Sequence, residues 1–161
     1  MKDRLTIRRA VAGDGELIFT LLHELAVYER LTDRFFLTQE VISRDFLGPS
    51  PAVFCDLAFL SGQPIGLVTW YWTYTTFGSA RGLYLEDIYV REQRRGLGLG
   101  KALMAHLAKQ ALANGASHIK WAVLNWNEPS IRFYENLGAE PENEWTVYAV
   151  AGDPLKKLAQ A

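Results

Sequence analysis

Leu5 and Ile7 alternate with Thr6 and Arg8, the period-two pattern of a half-buried strand. After Asp14 the period changes. Leu17, Leu21, Leu25 and Tyr28 recur at helical spacing as far as Leu31, giving one apolar stripe with Asp14 as its N-cap. Thr38 is set to cap a short second helix carrying Val41, Ile42, Phe46 and Leu47, which Gly48-Pro49-Ser50-Pro51 breaks. Two β-rich runs, 52–60 and 65–72, are joined by Ser61-Gly62-Gln63-Pro64 and predict a hairpin. A polar loop over 74–80 leads to another strand over 83–90. Leu99, Leu103, Leu107 and Ala111 then stack at i, i+4 on a helix that Asn114-Gly115 stops. A strand over 119–124 follows, then a short helix with Asn127 as N-cap and Pro129 in its first turn, ending at Gly138. A last strand over 145–150 and a small helix over 154–160 close the chain. The order β-α-α-β-β-β-α-β-α-β is mixed α/β, with hairpins first and βαβ units after. No repeat or linker interrupts it, so residues 1–161 are expected to form one domain.

Composition narrows the classes of function. Seventeen Lys and Arg against eighteen Asp and Glu leave a net charge of −1, which argues against nucleic-acid binding through bulk positive charge. Hydrophobic residues make up 49% of the chain, a globular value. Cys55 is the single cysteine, so no internal disulfide can form and a reducing, cytoplasmic setting is expected. No apolar run reaches the roughly 18 residues that span a bilayer. The opening Met-Lys-Asp-Arg does not read as a secretory signal. His23, His106 and His118 are scattered without metal-ligand spacing, and no metal is expected.

The segment Gln93-Arg94-Arg95-Gly96-Leu97-Gly98-Leu99-Gly100-Lys101 follows a strand and opens a helix. Glycines let backbone N–H groups approach a ligand, and the helix N-terminus adds partial positive charge, so the turn suits a pyrophosphate. A P-loop is excluded, because Ala102 follows Gly100-Lys101 and Arg95 stands where its first glycine should be. A dinucleotide fingerprint is excluded because Lys101 occupies the third glycine position and no acidic residue lies about 20 further on. Arg95, Gly98 and Gly100 do satisfy R-x-x-G-x-G. That run resembles the acyl-CoA pyrophosphate loop of the GCN5-related N-acetyltransferase (GNAT) family.

Two flanking segments extend the resemblance. Tyr84-Leu85-Glu86-Asp87-Ile88-Tyr89-Val90 precedes the loop, and Asn125-Trp126-Asn127-Glu128-Pro129-Ser130-Ile131-Arg132-Phe133-Tyr134 comes later. Both are similar to the spermidine/spermine (diamine) and thialysine acetyltransferase branch, as is Glu24-Leu25-Ala26-Val27-Tyr28-Glu29. The resemblance implies a GNAT fold: an α/β domain whose mixed, mostly antiparallel sheet splays at the acetyl-CoA site and is flanked by helices. It implies that the backbone of Ile88, Tyr89 and Val90 pairs with the pantetheine arm. Arg95, Gly96, Leu97, Gly98, Leu99, Gly100 and Lys101 would hold the pyrophosphate, and Asn127 and Ser130 would lie along the cofactor's other side. It also implies a homodimer, with the segment near Trp145 contributing.

Acetyl transfer to an amine requires a neutral amine and a proton for the departing thiolate. An alkylamine with a pKa near ~10.4 arrives charged, so a carboxylate must bind and help deprotonate it. Glu86 occupies the position of the family's proposed base. Asp87, the next residue, is expected on the opposite face of a regular strand, either structural or as an ion partner supporting the site from behind. Tyr134 is the candidate acid, a phenol still protonated at neutral pH. Tyr28, Glu29 and Trp126 are candidate substrate contacts, combining rings with a carboxylate around a cation. Cys55 sits in an apolar run without a His neighbour, which favours direct transfer over an acyl-cysteine. The 75–78 loop reads Thr-Thr-Phe-Gly, without the acidic residue and Trp of the polyamine enzymes, so a shorter amine, such as a thialysine-like or lysine-like amino acid or a small diamine, is at least as good an expectation as a polyamine. Two other readings stay open: a protein or peptide acetyltransferase, and a non-catalytic acyl-CoA sensor.

Overall fold

The structure, a computed structural model, describes residues 4–161. The chain divides into two compact units, Met1–Ala122 and Val123–Ala161.

The first unit is built on a five-stranded sheet in the order β1-β2-β3-β4-β5. β1 (Leu5–Arg9), β2 (Phe54–Leu60), β3 (Gln63–Thr75) and β4 (Ala80–Val90) are successively antiparallel, and β5 (Ala116–Lys120) runs parallel to β4. The β2–β3 hairpin turns at Ser61 and Gly62, both at positive φ (50° and 81°), the two-residue geometry that matches strand twist. β3 and β4 run further than the sequence pattern predicts. Tyr74 pairs with Arg81 and Thr75 with Ala80, so the connection shrinks to residues 76–79. The run Trp70-Tyr71-Trp72-Thr73-Tyr74-Thr75 explains this, since aromatic and β-branched residues favour the pleated ladder.

One sheet face carries Cys55, Leu57, Leu67 and Tyr89 against Ile18, Leu21, Leu22 and Leu25 of α1 (Gly15–Glu29) and Ile42 of α2 (Gln39–Asp45). Asp14 sits at the N-cap of α1, but its carboxylate binds the Arg8 guanidinium at 2.7 Å and accepts from the Val11 N–H instead. Thr38 caps α2 as expected, its hydroxyl accepting from the Val41 N–H. Residues between Cys55 and Leu57 or Leu67 and Thr69 project to the opposite face. There Asp56 is buried, accepting from Arg9 Nε and Trp70 Nε1, each at 2.7 Å. Each oxygen of this buried carboxylate thus has a donor. His106 of α3 (Leu99–Ala113) brings Nε2 within 3.4 Å of the same carboxylate, so this ring faces inward rather than outward. Leu99, Leu103, Leu107 and Ala111 are the buried stripe of α3, as their spacing predicts.

The strand expected over 119–124 is instead β5, three residues earlier. Its ladder with β4 stops at Tyr84 and Lys120, and past that point the two strands share no pairing that could keep 121–124 in the sheet.

In the second unit, α4 (Glu128–Glu135) begins at Asn127 with Pro129 in its first turn, and α5 (Gly152–Leu158) lies near the end. The strand expected over 145–150 does not form. Trp145, Val147, Tyr148 and Val150 are exposed, and among the described residues the segment has no ladder partner. Apolar alternation specifies a face, but a strand also needs a neighbour for its N–H and C=O groups.

Candidate active site

The site begins with an irregularity in β4. Thr69 pairs with Asp87 while the next residue of β3, Trp70, pairs with Leu85, leaving Glu86 as an extra residue. This is a β-bulge, which locally upsets the alternation of side chains. The Thr69 hydroxyl donates to Asp87 at 2.5 Å, and the Glu86 charge acts on the Tyr71 phenol from close by. Thr69 and Tyr71 are two residues apart on β3 and so share a face, the one covered by α1. Glu86 and Asp87 therefore both reach that face. The expectation that Asp87 points away is corrected by the bulge.

The electrostatics follow from this crowding. Burial raises the Asp87 carboxyl to about 6, against the stabilising Thr69 hydrogen bond, and the Glu86 charge pushes the same way as burial. Glu29, the last residue of α1, is likewise held above the ordinary carboxylate range, first by burial and then by the Asp87 charge. Glu86 itself is exposed. Burial and then the Glu86 charge push the phenols of Tyr71 and Tyr84 up. The result is an acidic cluster with one open carboxylate and aromatic neighbours, suited to a cation.

Beside it lies an open strand edge. Because the β4–β5 ladder ends at Tyr84, residues 85–90 of β4 have no partner on that side among the described residues. Ile88, Tyr89 and Val90 lie on this stretch. The chain then turns through residues 91–98 into α3, with Arg91 bound to Glu24 of α1 at 2.8 Å. Gly96 and Gly98 have φ of 79° and 74°, the left-handed region where a side chain is strained. A Cβ at either would meet nothing within 4 Å, so the space over the turn is open. The first bond of α3 runs from the Ala102 N–H to the Gly98 carbonyl, which leaves the amides of Leu99, Gly100 and Lys101 ahead of it. Glycine turn, free amides and open edge fit an acyl-CoA: amides for its pyrophosphate, strand edge for its pantetheine.

Arg95 turns toward α1. Its Nε donates to the Val90 carbonyl at 3.1 Å and its guanidinium lies 4.4 Å from the centre of the Tyr28 ring. Tyr28, Tyr89, Arg91 and Arg95 line a cleft of about 520 Å³. The structure thus brings Tyr28 to the loop side and Glu29 to the carboxylate side of one helix end. Leu97 is exposed at the tip of the turn, whereas Leu99 is buried beneath it.

The remaining candidates lie in the second unit. The Asn127 side chain is buried and accepts from the Ser130 N–H at 3.4 Å, capping α4. Tyr134 is buried on α4 with its ring 5.2 Å from that of Phe133. Trp126 is about half exposed. Cys55 is buried and its thiol is pushed far up, chiefly by burial, so it is a poor nucleophile. Among the described residues no three His, Cys, Asp or Glu are placed to hold a metal ion, and no helix is long and apolar enough to cross a membrane. Sequence reasoning passed over Tyr71 and Tyr84 and set Asp87 on the other face, because a bulge leaves no mark in hydrophobic periodicity.

Comparison with known proteins places this geometry. Residues 17–139 match the Acetyltransferase (GNAT) family. The chain belongs to that family. A thialysine N-epsilon-acetyltransferase from Bos taurus is 34% identical over 95% of this chain and 96% of its own length. A spermidine/spermine N(1)-acetyltransferase-like protein from Homo sapiens is 31% identical over 98% of this chain, which spans 24% of that longer protein. Among solved structures, an integron cassette protein from the mobile metagenome of V. cholerae superposes with a TM-score of 0.82 at 22% identity, covering 98% of both chains, a likeness of fold. The splayed mixed sheet flanked by helices is thus the GNAT architecture the motifs implied.

Proposed function

We propose that this protein moves the acetyl group of acetyl-CoA to a small primary amine, by direct transfer within a ternary complex. The observation that carries the reading is the β4 bulge, which puts an exposed carboxylate, Glu86, next to an open strand edge and a glycine turn fit for acyl-CoA. Similarity to thialysine and spermidine/spermine-type acetyltransferases supports an amine acceptor.

Acetyl-CoA supplies the thioester whose carbonyl carbon the amine attacks. The amides of residues 96–101, with Arg95 released from Val90, hold the pyrophosphate. The free edge at Ile88, Tyr89 and Val90 orients the pantetheine by strand-like pairing. Asn127 and Ser130 flank the cofactor. Glu86 binds the incoming ammonium and takes its proton, directly or through water, while Tyr28, Glu29 and Trp126 contact the rest of the substrate. Tyr134 holds a phenolic proton for the leaving sulfur. No step needs a metal. A short acceptor, thialysine-like, lysine-like or a small diamine, suits a site whose β3–β4 turn, 76–79, offers the exposed Phe77 and no carboxylate. We further propose that residues 1–161 work as one cytoplasmic acetyltransferase domain in a homodimer.

Initial-rate kinetics with acetyl-CoA and thialysine, lysine, putrescine, spermidine and a lysine peptide test this. One small amine should be turned over with intersecting double-reciprocal lines. Parallel lines would rule out the ternary complex, and turnover of the peptide alone would overturn the small-amine acceptor.

A further inference from the structure

A residue inserted by a bulge has no cross-strand partner to fix its side chain, so the orientation of Glu86 must come from a neighbour. Tyr71 and Tyr84 are the neighbours available. They face each other directly across the β3–β4 ladder, one step from the bulge, with ring centres 5.2 Å apart and planes 26° from parallel. Both are only partly buried, on the face shared with Glu86. An aromatic cross-strand pair stiffens both rings.

We propose that Tyr71 is a positioning residue for acetyl transfer: its hydroxyl holds the Glu86 carboxylate toward the amine, and the stacked Tyr84 ring fixes Tyr71 in that pose. The inference rests on Glu86 being the group that receives the amine. The phenol donates and the carboxylate accepts, so the bond favours the ionised carboxylate needed to bind an ammonium. The other ionisable groups at this place are Asp87 beside Glu86 on β4, Tyr84, and Glu29 at the end of α1, which acts through Asp87. All carry negative or no charge. The Tyr71 hydroxyl is thus a group able to donate to Glu86 in an otherwise repulsive surrounding.

The test is Tyr71→Phe, which keeps the ring and its stack and removes the donor. Its kcat/KM for the amine should fall about tenfold, the scale of one hydrogen bond to a charged group, with KM for acetyl-CoA unchanged. Tyr74→Phe, an exposed phenol on the same strand, should change neither. Titrating the Glu86 side-chain carboxyl by carbon NMR in both proteins reads the bond without turnover. If the wild type acetylates amines and Tyr71→Phe leaves kcat/KM and the carboxyl titration unchanged, the positioning role is wrong while the acetyltransferase reading stands. If the titration moves but no amine is acetylated by either protein, the bond is real and the catalytic role is overturned together with the amine reading. An equal loss for amine and acetyl-CoA would reduce Tyr71 to a packing residue and overturn the proposal.

Discussion

The two adjacent carboxylates of β4 have opposite characters, and each supports its own prediction. Asp87 is hydrogen-bonded by Thr69 in a partly buried setting and raised to about 6. A raised carboxyl stabilises the fold when protonated. That contribution is complete below the unfolded value near 3.8 and is lost as the pH rises through about 6. Asp87→Asn should therefore stabilise the protein by roughly 1–3 kcal/mol at pH 7–8 and by almost nothing at pH 4. Thermal melts across this range check it, and a constant difference at all pH values would refute it. Cys55 makes the complementary case: Cys55→Ala should keep acetyl transfer near the wild-type kcat, while costing about 1 kcal/mol of stability for the small void. A large loss of kcat at unchanged fold would revive an acyl-cysteine. Glu86 was singled out from its surroundings in the sequence. The orientation of Asp87 was not, since alternation assumes a regular strand and the extra residue appears only in the pairing.

At the scale of elements, local signals located most of the fold. Thr38, the Ser61-Gly62 turn, the α3 stripe and the Asn127 cap all act as their residue types predict, because each depends on contacts within a few residues. What the pattern misplaced depends on partners far along the chain. The strand expected over 119–124 loses its end where β4 diverges, and the one expected over 145–150 has the alternation without a ladder. The divergence that spoils the first prediction also creates the open edge of β4. The glycine turn before α3 gives a test at this scale. Gly98 has a φ of 74° with open space over it, so Gly98→Ala brings backbone strain of about 1–2 kcal/mol without a clash. KM for acetyl-CoA should rise severalfold to about tenfold while KM for the amine stays put. An unchanged KM for acetyl-CoA would mean that the turn does not hold the cofactor.

Over the whole molecule, the chain matches the GNAT family from residue 17 to 139, a span that covers most of the first compact unit, reaches into the second and holds every proposed site residue. The proposed homodimer belongs here: sedimentation should give twice the mass of one chain, and a monomer at micromolar concentration would remove it from the description. The central claim is that Glu86 receives the amine's proton during transfer from acetyl-CoA. The most direct test is free-thiol release from acetyl-CoA with the best small amine, comparing wild type and Glu86→Gln at neutral and at alkaline pH. At neutral pH the variant should be slower by about a hundredfold or more, the usual worth of a general base. Above the amine's own pKa, where the acceptor is already neutral, much of that deficit should disappear. A Glu86→Gln protein that matches the wild type at neutral pH would contradict the assignment of Glu86.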